Sequence, residues 1–374
     1  MAQAYAVRAG QERRHTTMER RRRASLKDVA ARAHTSIATA SRALSGTGYV
    51  AKTTRARILK AAKALSYQPN LRARGLRQRF SRSIGLIIPN LLNAYYTALA
   101  DAISQQLVSH GYHLLLSSTR DEPQTEHDTV TDMVGQAVDG LIWVPASSDS
   151  GLLDYLASQH TPVVIIVRRL PNDPVDTVVF EDRAGSKAAT QHLLSLGHER
   201  IGYIGGDVMF SSNQCRWQGH LEALHEAGVP VDEALIKLGT NRSTWGAMAT
   251  NDLLRLPSPP TAIFVASNAI MPGVIRTLRQ LDVRLPEDLS LICFDDVEWF
   301  SFSVPPITAV STASTALAES AVDLLLTRIE HGDASERPPV FLEVNFELIV
   351  RRSVVSPRST PLYVREGHLE DAQT

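Results

Sequence analysis

This chain has few cysteines, no long apolar runs and, over its first 82 residues, few acidic side chains; each shortage excludes a class of function. Cys215 and Cys293 are the two cysteines in 374 residues, too few and too far apart for a disulfide framework or a thiolate zinc site. No apolar run reaches the ~18 residues that a membrane span needs. The start, Met1 to Arg23, is polar and Arg-rich and lacks the apolar core of a secretory signal. The expectation is a soluble, cytoplasmic protein with no membrane partner. Enzyme signatures are equally scarce. Gly205-Gly206 follows an apolar run but has neither the further glycines nor the Gly-Lys-Ser/Thr of a phosphate loop. There is no nucleophile elbow. Asp295 and Asp296 are adjacent, so on a strand they face opposite ways and cannot act as a dyad. His192 and His198 lack partners at metal-ligand spacing and are assigned to structure. No catalytic residue, cofactor or metal site is expected.

The shortage of acids is local. Residues 1–82 hold 20 Lys and Arg against 3 Asp and Glu, a net +17, so a formal charge of zero leaves −17 on the remainder. A basic segment that large is an electrostatic footprint for a polyanion. Within it, Ser25-Leu26-Lys27-Asp28 reads as an N-cap with an acid three residues on, and Leu26, Val29, Ala30 and Ala33 recur on one helical face. His34-Thr35 breaks that helix and Ser36 can cap the next. In this second helix Ile37, Ala40 and Leu44 form the apolar face, leaving Ala38, Thr39, Ser41 and Arg42 to point elsewhere. A third helix is expected from a Thr53/Thr54 cap, with Ile58, Ala61, Ala62 and Leu65 inward and Lys52, Arg55, Arg57, Lys60 and Lys63 outward. Two short helices on a tight turn with a small-residue outer face have the geometry of a helix-turn-helix.

The blocks Leu-Lys-Asp-Val-Ala (26–30), Ser-Ile-Ala-Thr-Ala-Ser-Arg-Ala-Leu (36–44), Val-Ala-Lys-Thr-Thr-Arg (50–55) and Leu-Ser-Tyr-Gln-Pro-Asn (65–70), with their spacing, resemble the LacI/GalR family of bacterial repressors. The chain departs from the family at the turn, where His34-Thr35 stands for the usual Gly-Val, and at Ala40, which stands for Val. The resemblance implies base readout by Ile37, Ala38 and Arg42, and backbone contacts from Ser36, Thr39, Ser41, Thr53, Arg55 and Asn70. Arg42 can donate two hydrogen bonds to a guanine, while Ile37 and Ala38 can touch apolar edges such as a thymine methyl. Residues 70–82 carry Arg72, Arg74, Arg77, Arg79 and Arg82 around Gly75, a composition that is poorly helical in free solution. In the family the matching segment is a hinge helix that folds on DNA; Leu76 matches its minor-groove wedge and Ala73 the small residue beside it. Residues 1–23 read either as a basic arm toward DNA phosphates or as an over-long start with Met18 as initiator.

From Ile84 onward short apolar runs alternate with helical patterns. Strands are expected at 84–88, 112–116, 140–144 and 163–167, then at 201–204, 262–265 and 289–294; helices at 96–110 and 126–138, then at 214–227, 243–254 and 272–281. This is a parallel α/β arrangement made twice, and ligands in such sheets bind beyond the carboxyl ends of the strands. The expected organisation is a basic arm (1–23), an all-α helix-turn-helix domain (24–69), a hinge helix (70–82), a two-lobed α/β periplasmic-binding-protein-like domain (83–352) and a flexible tail (353–374) without leucine heptads. The resemblance places an effector contact at each of six positions: Tyr95, Asp182, Arg216, Arg242, Ser267 and Asp295. Ser267-Asn268 stands where the family has Asn-Asp, so an acid is missing. With Arg242 where the family has an aromatic, the cleft is expected to favour an anionic sugar acid or sugar phosphate over a neutral sugar. The alternative is that Arg242 points to solvent and Trp245 takes the aromatic role. Arg216 and Asp295 can also be read as pairing with each other across an empty cleft.

The resulting expectation is a homodimeric repressor that binds a palindromic double-stranded DNA operator under control of a small effector, since a two-fold pair doubles the few base pairs one helix reads. A DNA-binding regulator without effector control would differ by an operator affinity that no metabolite changes. A plain solute-binding protein is opposed by the basic head.

Overall fold

The computed structural model describes residues 24–46, 48–67, 80–147, 151–331 and 337–358. The expectations for the arm 1–23, for Asn70, Ala73 and Leu76 of the hinge, and for residues 359–374 fall outside the described residues. The chain divides into two compact units, Met1–Ser81 and Arg82–Thr374.

The first unit holds α1 (Leu26–Arg32), α2 (Ile37–Ser45) and α3 (Lys52–Ala64). The Ser25 hydroxyl accepts from the Asp28 amide at 3.3 Å while the Asp28 carboxylate accepts from the Ser25 amide at 2.8 Å, a reciprocal cap that fixes where α1 begins. Ser36 caps α2 by accepting from Thr39 N–H at 3.1 Å, and Gly46, at φ 77, ends it by donating back to Arg42. Val29, Ala30, Ala33, Ala40, Ala43, Ile58, Ala61 and Ala62 make the core. Two local expectations are corrected. Ile37 does not pack inward but is 45% exposed, because Ala40 and Ala43, one turn apart, carry the buried stripe. Helix α3 starts after Ala51 with no side-chain cap, so Thr53 and Thr54 sit inside its first turn.

The second unit is two parallel sheets. Lobe 1 has β1 (Ser83–Ile88), β2 (His113–Ser118), β3 (Gly140–Trp143), β4 (Val163–Ile166), β5 (Asp176–Phe180) and β11 (Phe341–Val344) in the order β11-β5-β4-β3-β1-β2. Lobe 2 has β6 (Ile201–Gly205), β7 (Ile236–Leu238), β8 (Ala262–Val265), β9 (Ser290–Phe294), β10 (Thr308–Thr312) and β12 (Phe346–Ile349) in the order β12-β10-β9-β8-β6-β7, with the β10–β12 pair antiparallel. Helices α4 (Ala94–Ser109), α5 (Pro123–Gly135), α6 (Gly151–Ser158) and α12 (Ser314–His331) cover lobe 1; α7 (Asp182–Ser195), α8 (Ser211–Glu226), α9 (Ser243–Leu254), α10 (Met271–Gln280) and the short α11 (Glu298–Phe302) cover lobe 2. The chain passes between lobes at Glu181, at Ala313 and at Asn345. Strands β5, β7, β10, β11 and β12 were not among the expected runs. The tail expectation also changes: Ser353 is fully buried, donating to Leu291 C=O at 2.6 Å and accepting from Thr308 N–H at 2.8 Å, so residues through Arg358 belong to lobe 2. His198 is structural: its ring bonds Thr261 at 2.8 Å and the Val355 carbonyl at 2.7 Å.

Candidate DNA-reading helix and interlobe cleft

On the first unit, Ser36, Ile37, Ala38 and Arg42 share the exposed side of α2, with Thr39 and Ser41 half-buried beside them. A Cβ at Gly48, which has φ 71, would lie 3.4 Å from Arg42 Cδ, so the loop after α2 runs along the arginine stem and leaves its head outward. Thr53 is exposed and Arg55 half-buried at the start of α3.

In the second unit the cleft lies beyond the carboxyl ends of the strands, where a parallel sheet points its loops. Arg216 on α8 is its centre. Its Nε donates to Asp182 at 2.7 Å, its Nη2 to Asp295 at 3.1 Å, and its Nη1 to the Ala266 carbonyl at 2.8 Å and to Asp295 at 3.3 Å. Asn268 donates to the same Asp295 carboxylate at 3.2 Å. The Phe294 ring lies 3.7 Å from the guanidinium carbon. Burial works against the charge of Arg216, but Asp295 and Asp182 outweigh it and hold its pKa above the ordinary value. Burial, with repulsion from Asp295, pushes the Asp182 carboxyl up to about 6 despite the pull of Arg216. Asp295 follows β9 at φ 68, a left-handed turn that swings its carboxylate to Arg216 while Asp296 turns away to pair with Arg351 at 2.7 Å.

Lobe 1 faces this group with Tyr95, which packs edge-on against Phe180 at 6.1 Å between ring centroids. Its hydroxyl is buried and has no hydrogen-bond partner among the described residues. Tyr95, Asp182, Arg216, Ser267 and Asp295 are thus all buried near the strand ends. Ser267 is there for its turn, accepting from the Ala269 amide at 3.4 Å, and it is Asn268 that reaches Asp295. Arg242 does not join them: it is exposed at the N-terminus of α9. Nor does Trp245 take an open aromatic role, since it packs on Gly239 and donates to the Gly205 carbonyl at 3.1 Å. The expectation of an anionic ligand rested on Arg242, on Arg216 and on the acid missing at Ser267-Asn268; Arg242 is exposed and Arg216 is engaged by Asp182 and Asp295, which leaves the missing acid alone behind it.

Sequence reading missed Arg168. It is buried after β4, donates to Asp121 at 2.7 Å and to the Pro145 carbonyl at 2.6 Å, and stacks 3.7 Å over Phe210 of the other lobe. Charged residues directly after the apolar run 163–167 were the available signal. A cavity of about 520 Å³ opens beside Asp182, lined from lobe 1 by Val167, Arg169 and Phe180 and from lobe 2 by Ser211, Ser212 and Cys215.

Comparison with known proteins gives these features a context. Residues 25–70 match the family model described as bacterial regulatory proteins, lacI family, and residues 190–354 match a periplasmic binding protein-like domain. The HTH-type transcriptional repressor PurR of Haemophilus influenzae strain PittEE is 31% identical over 333 residues, covering 89% of this chain and 99% of its own. PurR of Actinobacillus pleuropneumoniae serotype 3 is 32% identical over 331 residues, covering 88% and 98%. Of solved structures, the transcriptional regulator CelR in complex with cellobiose has a TM-score of 0.67 at 28% identity, covering 89% of this chain and 100% of its own. The lac repressor dimer bound to operator and the anti-inducer ONPF has a TM-score of 0.77 at 23% identity, covering 89% and 99%, a likeness of fold. The PurR identities, above 30% over nearly nine-tenths of this chain and almost the whole of each relative, decide the family: this chain belongs to the lacI family of bacterial regulatory proteins and is a DNA-binding transcriptional regulator.

Proposed function

We propose that the chain represses transcription as a homodimer on a two-fold operator, and that a small molecule held beside Arg216 sets its operator affinity. The observation that carries this reading is the Tyr95 hydroxyl, buried with no partner among the described residues and facing, across the lobes, a charged group next to an open cavity. A buried hydroxyl with no partner costs free energy, and a ligand that bonds it recovers that cost. The solved relatives support the pairing of functions: one is a complex with cellobiose, another is bound to operator together with an anti-inducer. A dimer is supported by apolar side chains left exposed on lobe 1, Leu92 before α4 and Leu116 on the edge strand β2.

In this reading Arg42 reads a guanine, with Ile37 and Ala38 beside it, and Ser36, Thr39, Ser41, Thr53, Arg55 and Asn70 hold the phosphates. Leu76 and Ala73 enter the minor groove by family resemblance. Selection of DNA sites from a random pool, then titration of the selected site, tests it. Arg42→Ala is expected to cost roughly 1–3 kcal/mol on the selected site and to relax one base position. Equal loss on every sequence variant would reduce Arg42 to a phosphate contact.

A further inference from the structure

Resting on the reading that the cleft governs operator affinity, we propose that Arg168 is a clasp between the lobes. Anchored on lobe 1, it lies on Phe210 of lobe 2, and this contact sets how firmly the lobes hold together and how tightly the protein binds operator. The anchor joins three strand ends of lobe 1. Arg168 follows β4, and its Nη1 donates to the Asp121 carboxylate after β2 at 2.7 Å and to the Pro145 carbonyl after β3 at 2.6 Å. Both bonds use one nitrogen, and the buried Nε has no partner among the described residues. The flat face of the guanidinium is left to the Phe210 ring, which covers it at 3.7 Å. A guanidinium shut away from water against a ring is where this attraction is strongest. The backbone is bent to bring it there. Arg168 N–H donates to the Ile166 carbonyl at 2.7 Å, closing a three-residue turn whose middle residue, Val167, has φ 67. A β-branched side chain is costly in that region, and such strain persists where surrounding contacts hold it, at clamps and switches above all. Asp121 is also left-handed, at φ 60, as is Arg120 before it at φ 58. Beside the ring a second bond crosses between the lobes: the Arg169 amide donates at 2.6 Å to Oγ of Ser211, the first residue of α8. Helix α8 carries Arg216, so the clasp grips the same helix that centres the cleft.

The Arg169 amide reports on the clasp, because its acceptor belongs to the other lobe. Hydrogen exchange resolved to that amide is measured on the full-length protein with no ligand added, in wild type, Phe210→Ala, Arg168→Met and the double variant. Phe210→Ala is expected to speed exchange at Arg169 by about tenfold or more, while β1 and β6 keep their protection. In the Arg168→Met background the same change should speed exchange no further, since the partner of the ring is already gone. No acceleration in Phe210→Ala, or the same acceleration in both backgrounds, overturns the clasp. If Phe210→Ala strips protection from β1 or β6, Phe210→Leu, which keeps apolar bulk without the ring, is read by the same two criteria. Operator affinity is measured on the same preparations. A shift of about threefold or more in Phe210→Ala supports the clasp as a regulator. Faster exchange with operator affinity unmoved overturns it together with the reading that the cleft governs operator affinity, whereas unchanged exchange sinks the clasp alone.

Discussion

His34 holds the left-handed backbone that the helix-turn-helix needs, at φ 49, and Thr35 beside it buries a hydroxyl with no partner among the described residues. Both positions depart from the family's Gly-Val, and each carries a cost that the family residue avoids. His34→Gly is expected to stabilise α1–α3 by about 1 kcal/mol, since glycine adopts this φ freely. Thr35→Val should add about as much by removing an unsatisfied group. Amide hydrogen exchange over α1–α3 checks both; unchanged protection would contradict them. In the cleft, Asp182 binds its proton more tightly in the folded state, with its carboxyl pushed up to about 6, than in the unfolded state, with an ordinary value of about 3.9. The sign follows: this residue's contribution is most favourable below about pH 4 and is lost as pH rises through about 6. The stability difference between wild type and Asp182→Asn, measured by urea unfolding, should therefore shift against the wild type across that window. A flat difference would mean that Arg216 keeps Asp182 ionised throughout.

Among the elements, α7 and α8 bring Asp182 and Arg216 together, and they do so through Gly219. A Cβ at Gly219 would land on the carbonyl oxygen of Arg183, so this pair of helices packs backbone to backbone. Gly219→Ala is expected to force them apart and cost about 1–3 kcal/mol by overpacking, with weaker ligand binding as the second consequence. Calorimetry of the variant checks it, and an unchanged melt would mean that the helices slide without penalty. Much of this architecture was legible. Caps at Ser25 and Ser36 announced the first two helices, and fully apolar runs announced the central strands, because a parallel sheet buries both faces. The runs that escaped notice lie toward the sheet edges or at the crossings: β11 and β12, whose faces are half exposed, and β10, which ends where the chain leaves for lobe 1. Local pattern carries no sign that α12 packs on the other lobe from the strand before it. Similarly, Arg216, Asp182 and Asp295 were identifiable by their blocks; the Arg216–Asp295 pair and the outward turn of Arg242 were each one of two open readings, and the choice between them, like the joining of Asp182 to the pair, depends on contacts between distant segments.

At the scale of the whole molecule, a net +17 before residue 83 and −17 after it divide the work between a polyanion and a small ligand. Operator affinity is expected to fall steeply with salt, since each neutralised phosphate releases counterions. A nearly flat dependence on salt would contradict that division. The claim on which the rest depends is that the Tyr95–Arg216 cleft governs the DNA-reading unit, and Tyr95→Phe tests it with least disturbance because it deletes a hydroxyl that has no hydrogen-bond partner among the described residues. The measurement is operator affinity of the full-length protein by fluorescence anisotropy, titrated with a ligand found by thermal shift. The wild type should change its affinity by 5- to 150-fold, a coupling of about 1–3 kcal/mol. Tyr95→Phe should bind operator equally well without ligand and need about tenfold more ligand for the same change. An operator affinity indifferent to saturating ligand, or a response left untouched by Tyr95→Phe, would contradict the account.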